Sequence, residues 1–270
     1  MLICSSLSLD VYELSHWLQL TAEESNFRWL LAQDLIRRLP RAVGDSKLSL
    51  MGSLATGLGN ITSDVDIALT IPSMEAKRAQ RGPSQGLGRP SNRSYVKRKF
   101  IEMSKVLRDN GFHGLDIVMA RHPLLHAIHA ASGVKFQIVM SQSTKSQEEL
   151  IRNYLDEYLY LKDVYFVMKA SLAARGLNEP SLGGLGSYSL LMLVVTALAH
   201  TKTPRKADAA TCLKNVIHFC STMDTANRCF KVDSDKCFKK LAPGSAVKAK
   251  ARRDIMADPV LSPSHLSSIE

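Results

Sequence analysis

The segment from Leu48 to Ile71, LSLMGSLATGLGNITSDVDIALTI, leaves few folds open to this chain. It reads as an apolar strand ending at Gly52-Ser53, a short loop, and a second strand opened by Ser63-Asp64-Val65-Asp66. Side chains alternate along a strand with period two, so an Asp-x-Asp puts both carboxylates on one face. Two hard oxygen ligands there can hold Mg²⁺ without enclosing it, and leave coordination positions for phosphate oxygens and water. The turn at Gly52-Ser53 adds backbone N–H groups and a hydroxyl that suit a triphosphate. Together these residues are equipment for metal-assisted nucleotidyl transfer. A bare Asp-x-Asp would read as an edge strand with two solvated aspartates. The coincidence of apolar strand, Gly-Ser, spacing and Ser-Asp-x-Asp-Ile argues against that.

A second informative block is residues 164–198, VYFVMKASLAARGLNEPSLGGLGSYSLLMLVVTAL. Val164 to Ala174 has helical apolar spacing and good helix formers, and Arg175-Gly176 is its stop. Asn178, Pro180, Gly183, Gly184 and Gly186 mark a loop. Ser189 to Leu198 is almost wholly apolar but too short to span a bilayer, which makes it a buried helix. Its N-terminus lies at Ser187-Tyr188. There the residues alone leave two readings open: a cap with Tyr188 in the core, or a helix terminus that meets an anionic ligand with an aromatic ring to stack a base.

On these motifs the chain resembles the DNA polymerase β-like nucleotidyltransferase superfamily. Within it, the chain resembles the noncanonical poly(A) polymerases and terminal uridylyltransferases. That family carries a helix with a Lys, then Arg-Gly-Ile/Leu-Asn, a Gly-Gly-Leu-Ser-Ser-Tyr loop and an apolar helix. Leu20 to Leu39 resembles its N-terminal helix, and a weaker likeness reaches Cys212–Phe238 and the last residues. The resemblance implies an α+β fold: a mixed sheet with flanking helices, plus a helical PAP-associated domain. It implies an N-terminal helical segment (1–40) packing on the helical domain, a catalytic domain (41–145) with a basic insertion (73–99), and a helical domain (146–270). It also implies roles. Asp64 and Asp66 hold Mg²⁺ or Mn²⁺, Gly52 and Ser53 bind phosphates, Lys169 binds the triphosphate, and Ser187 with Tyr188 meets the ribose and base. The family often has a second Lys one turn after the first, where this chain has Ala173. Family members also continue past a similar Leu-x-x-Ile-Glu into a base-recognition loop, so the helical module is expected to be incomplete at Ile269-Glu270.

The third carboxylate is the departure that matters most. The superfamily supplies it from a neighbouring strand to activate the attacking 3′-hydroxyl. Val134 to Met140, VKFQIVM, alternates as a strand and resembles the family's VKVDISF, with Gln137 at the Asp position. An amide oxygen can ligate Mg²⁺, but it carries no charge and takes no proton at neutral pH. Asp116, in HGLDIVMA, is a candidate substitute on another strand, against an ordinary strand-start aspartate. Three function readings follow: addition of AMP from ATP to RNA 3′ ends, terminal uridylyl transfer from UTP, or a catalytically weak nucleotide- or RNA-binding pseudoenzyme.

Composition fits a polyanionic partner. The net charge is +10, concentrated in Lys77–Arg108 and Lys231–Arg253, which suggests RNA phosphate contacts that weaken with salt. Residues 81–94, rich in Gly, Pro, Ser and Arg, read equally as a solvated flexible insertion. Cys4, Cys212, Cys220, Cys229 and Cys237 form no CxxC pair and have no His at zinc spacing. Their odd number and the lack of a leader segment point to an intracellular, reducing compartment, nucleus or cytoplasm. His122, His126 and His129 are broken by Pro123 and joined by no carboxylate, so they do not read as a metal site. RNA-processing proteins are expected partners; a membrane is not. The expected strands lie near 47–51, 64–71, 114–119 and 134–140, with a helix at about 22–39 and a linker and helix at 73–110.

Overall fold

The computed structural model describes residues 6–39, 44, 46–71, 90–119, 123–141, 145–179, 182–224, 228–232, 237–239 and 256–257. These divide into two compact units. One comprises residues 19–149. The other combines the N-terminal residues up to Leu18 with those from Leu150 onward.

The first unit is built on a five-stranded sheet. Its strands are β1 (Lys47–Met51), β2 (Val65–Thr70), β3 (Phe112–Val118), β4 (Leu124–His129) and β5 (Lys135–Met140), in the order β1-β2-β5-β4-β3. β2 and β5 are parallel and every other neighbouring pair is antiparallel. Alternation sends Val65, Ile67 and Leu69 of β2, Phe136 and Ile138 of β5, and Leu125 and Ala127 of β4 into one buried cluster. Helix α2 (Ala22–Arg38) packs on β1 and β2, and α4 (Pro90–Asp109) on β3 and β4. They contribute Ala32, Leu35, Val96, Phe100, Met103 and Leu107 to the same core. The start of α2 is fixed by a capping box. Glu24 N–H donates to the Thr21 hydroxyl at 3.1 Å and Thr21 N–H to the Glu24 carboxylate at 2.9 Å. The opposite face of the sheet carries Asp66 and Gln137, both half-buried.

The second unit packs α1 (Ser6–Leu18) against α6 (Leu161–Ala173) and α8 (Ala209–Thr222), with α7 (Ser187–His200) beside α6 and α8. Helix α5 (Lys145–Glu157) precedes α6. Leu190 to Leu198 of α7 are all buried, as expected of a helix that is apolar nearly all round. A small sheet of β6 (Arg228–Lys231), β7 (Cys237–Lys239) and β8 (Met256–Ala257) completes it. Among the described residues, no helix is long and apolar enough to cross a membrane.

Asp208 ties α1 to α8. The buried Ser8 hydroxyl donates to Asp208 Oδ1 at 2.6 Å and accepts from Ala210 N–H at 3.0 Å. Thr211 adds its N–H at 3.1 Å and its hydroxyl at 2.7 Å. These bonds favour the carboxylate, led by the one from Ser8, and hold Asp208 at about 2. A carboxyl depressed in the folded state stabilises the fold above its unfolded value and loses that contribution as pH falls through the folded value. Melting followed between pH 5 and pH 2 should therefore lose stability more steeply in the parent than in Asp208→Asn. Equal slopes would show that the linkage is absent.

Several expectations are corrected. The helix expected at about 22–39 packs on the sheet, so the segment 1–40 does not join the helical unit as a whole; only α1, which sequence reading passed over, does. Residues 90–99 of the expected insertion are the first turns of α4, while 72–89 lie outside the described residues. β4 is a full strand between β3 and β5, outside the four strands that the sequence leads one to expect; His122 lies outside the described residues.

Candidate functional site

β1 delivers the chain to Gly52, where a five-residue helix, α3 (Gly52–Thr56), begins with Gly52 at φ 71°. That conformation is left-handed, and a Cβ there would stand 2.3 Å from Asp66 Oδ2. Glycine is thus required twice: by its backbone angle and by the carboxylate packed against its Cα. Ser53 follows on the same turn. Registers place Met51 of β1 opposite Asp66 of β2, so strand pairing itself brings the Gly-Ser turn and the Asp-x-Asp together.

Asp64 precedes β2 and Asp66 lies within it. Val65 between them is fully buried, while the two aspartates are half-buried on the other face. Gln137 is the β5 partner of Asp66 in the parallel register. Side chains that pair laterally share a face, so Gln137 stands beside Asp66. The row continues to His126 of β4 and then Asp116 of β3. Asp116 shares the face but lies three strands from Asp66, with Gln137 and His126 between. At about 4.8 Å per strand it is roughly 14 Å away at the backbone. It cannot replace the carboxylate missing at Gln137, and that expectation is withdrawn.

The loop that presents Asp64 is tightly wound. Ser63 N–H donates to Asn60 O at 3.0 Å, Asn60 N–H to the Ser63 hydroxyl at 3.0 Å, and Ser63 and Thr62 hydroxyls donate to Asn60 Oδ1 at 2.6 and 3.1 Å. Arg28 of α2 closes it from outside, donating to the carbonyls of Ile61 at 2.9 Å and of Ser63. Burial lowers the Arg28 guanidinium from its ordinary value, opposed by the charges of Glu24 and Asp64. Sequence reading missed Arg28: one arginine in an amphipathic helix carries no signal of what it will reach.

The other residues singled out from sequence lie in the second unit. Lys169 of α6 sits with its Nζ 5.7 Å from the Tyr165 ring centroid. The Tyr165 phenol is pushed up by burial, against a hydrogen bond with Ser187. Lys169 and Ser187 are thus joined through a buried tyrosine that sequence reading took only as an apolar helix position. Gly186 is the N-cap of α7 and makes no side-chain cap bond. Ser187 is therefore the first helical residue and not its cap, and it is exposed. Tyr188 is half-buried with its hydroxyl inside. The loop before α7 is pinned back on itself: Gly184 N–H donates to Glu179 O and Leu185 N–H to Leu177 O, each at 2.8 Å. A Cβ at Gly184 would stand 2.6 Å from Leu177 O, so only glycine fits. Ala173 is exposed at the end of α6.

Two carboxylates, a bare Cα and a hydroxyl-bearing turn suit a hard cation that keeps open positions. Among the described residues no three His, Cys, Asp or Glu side chains gather into a closed metal site. Two aspartate carboxylates are hard oxygen donors of the kind that Mg²⁺ or Mn²⁺ takes.

Residues 7–156 match the family model described as "Poly(A) RNA polymerase, mitochondrial-like, central palm domain". The chain is 23% identical over 193 residues to Poly(A) RNA polymerase protein 2 of Saccharomyces cerevisiae, covering 71% of this chain and 30% of that protein. It is 24% identical over 199 residues to Poly(A) RNA polymerase GLD2-A of Xenopus laevis, covering 73% of this chain and 37% of that protein. The chain thus spans about a third of the length of these relatives. The Cid1 poly(U) polymerase with bound MgGTP superposes with a TM-score of 0.72 at 16% identity, over 94% of this chain and 84% of that structure. That likeness carries the fold.

Proposed function

We propose that this chain, which belongs to the mitochondrial-like poly(A) RNA polymerase family by its central palm domain, is a template-independent RNA nucleotidyltransferase of polymerase β-like fold. It adds AMP from ATP to RNA 3′ ends. The observation that supports this most is the packing of the Asp66 carboxylate against Gly52 at the mouth of the Gly-Ser turn, with Asp64 on the same face. Residues 41–145 form the catalytic part in this reading, and the helices from 146 onward a PAP-associated module.

In this mechanism Asp64 and Asp66 would hold Mg²⁺ or Mn²⁺, which when bound supplies charge neutralisation at the transferred phosphate. The Ser53 hydroxyl and the turn's N–H groups orient the triphosphate. Lys169 neutralises phosphate charge. The exposed Ser187 hydroxyl meets the ribose, and Tyr188 offers its ring to the base. The RNA 3′-hydroxyl oxygen attacks the α-phosphorus and gives its proton to solvent water, the bond from the α-phosphorus to the β-bridging oxygen breaks, and pyrophosphate leaves. Gln137 beside Asp66 can hold an oxygen by hydrogen bond but cannot accept the hydroxyl proton. That deficit favours a slow enzyme, and it is the observation behind a second reading: a nucleotide-binding protein without turnover. Uridylyl transfer is the neighbouring alternative, given that the superposed Cid1 is a poly(U) polymerase. The five cysteines, an odd number with no CxxC pair, suit a reducing compartment such as nucleus or cytoplasm. The surplus of Lys and Arg suits RNA.

Extension of a labelled oligo(A) primer with each NTP and Mg²⁺ or Mn²⁺ tests the reading. ATP-dependent extension is expected from the native chain and none from Asp64→Ala/Asp66→Ala. Preference for UTP would select uridylyl transfer. No extension, together with retained ATP binding, would leave the binding protein.

A further inference from the structure

Arg28 reaches from α2 to the loop that precedes β2. Its two terminal nitrogens donate to two backbone carbonyls, Ile61 and Ser63, and the next residue is Asp64. Carbonyls two residues apart in a turn diverge, so holding both requires a planar fork with several fixed donors. The Asn60, Thr62 and Ser63 bonds already wind the loop internally. They fix its shape but not its place relative to the sheet. A bridge between Gln19 and Asn60 holds the start of the turn to the segment before α2, and Arg28 ties its end to α2 itself, whose start is set by the Thr21–Glu24 capping box and whose buried face is anchored by Ala32 and Leu35. The guanidinium also lies close enough to Asp64 for their charges to interact.

We infer that Arg28 is a positioning residue: a two-carbonyl clamp that fixes the Asn60–Ser63 turn on α2 and thereby sets where the Asp64 carboxylate stands beside Asp66. The inference rests on the reading of Asp64 as a metal ligand. The clamp acts through backbone, so it places Asp64 without occupying its oxygens, which remain available to a cation. It explains why an arginine is partly desolvated on a helix whose other cations, Arg37 and Arg38, lie in the last turn. A lysine at 28 would keep the positive charge near Asp64 but present one nitrogen where two carbonyls diverge.

The test uses the full chain, with Arg28→Lys and Arg28→Met and two readouts. Mn²⁺ binding followed by electron paramagnetic resonance should weaken about 10-fold in both variants, since a ligand displaced by a fraction of an ångström loses affinity as second-shell substitutions do. Hydrogen exchange at residues 60–66 should accelerate in both, while exchange in β4, β5 and α4 stays as in the parent and reports an intact fold. Restoration of parent Mn²⁺ affinity and exchange by Arg28→Lys would overturn the clamp in favour of charge alone. Parent-like exchange at 60–66 in Arg28→Met would overturn it outright. Failure of the native chain to bind Mn²⁺ would instead fail the metal reading of Asp64 and Asp66, and the exchange arm would still decide whether Arg28 holds the turn.

Discussion

Gly52→Ala is expected to lower primer extension by about 10²-fold or more while the sheet remains folded. Two separate costs meet at one methyl group. The backbone at φ 71° is left-handed, which costs an L-residue roughly 1–2 kcal/mol. The new Cβ would then fall 2.3 Å from Asp66 Oδ2, far inside contact distance. The carboxylate is the movable partner, because Asp66 is fixed by strand pairing to Met51 and Gln137 and only its side chain can turn. A displacement near 1 Å of a group that positions reactants is worth about 10²-fold in rate. Single-turnover extension rates, taken beside melting temperatures for Gly52→Ala and Gly52→Ser, check this. An alanine variant that extends at the parent rate would show that the Asp66 carboxylate need not stand where it does.

Gln137→Asp is expected to act in the other direction, raising extension by about 10²–10⁴-fold, the usual contribution of a positioned general base. The parallel register puts residue 137 directly beside Asp66, so the new carboxylate would lie on the row that already carries the Asp-x-Asp. Three carboxylates on one face repel one another when no cation is present. The variant should therefore melt lower than the parent in EDTA, and Mg²⁺ should return more of its stability than it adds to the parent. Gln137→Asn, which keeps the amide, should show neither gain. A Gln137→Asp chain that folds, binds Mg²⁺ and still fails to extend a primer would make nucleotide or RNA binding the leading role of this protein.

The site was legible in parts. Gly52, Ser53, Asp64 and Asp66 were found together because they are close in sequence and their pattern is set by strand period and turn chemistry, which are local. Gln137 was identified by its strand's alternation and by resemblance, and the register places it next to Asp66. Asp116 failed for the converse reason. The sequence put it on another strand, but a strand's own pattern does not give strand order, and β4 and β5 stand between it and Asp66. The break of the segment 1–40 between α1 and α2 was also out of reach, since two adjacent amphipathic helices do not say which core each will cover.

By itself the sequence determined the Gly-Ser turn, the shared face of the two aspartates, the buried helix that starts at Ser187-Tyr188 and runs to Leu198, and the lack of a charge at position 137. Each follows from backbone geometry or side-chain chemistry within a few residues. The tertiary structure decided what depends on pairing between distant segments. It set the order of the five strands and the contact of Gly52 with Asp66. It also linked Lys169 to Ser187 through Tyr165 and brought Arg28 to the carbonyls of Ile61 and Ser63. Such contacts are selected by the packing of whole elements, and no local pattern encodes them.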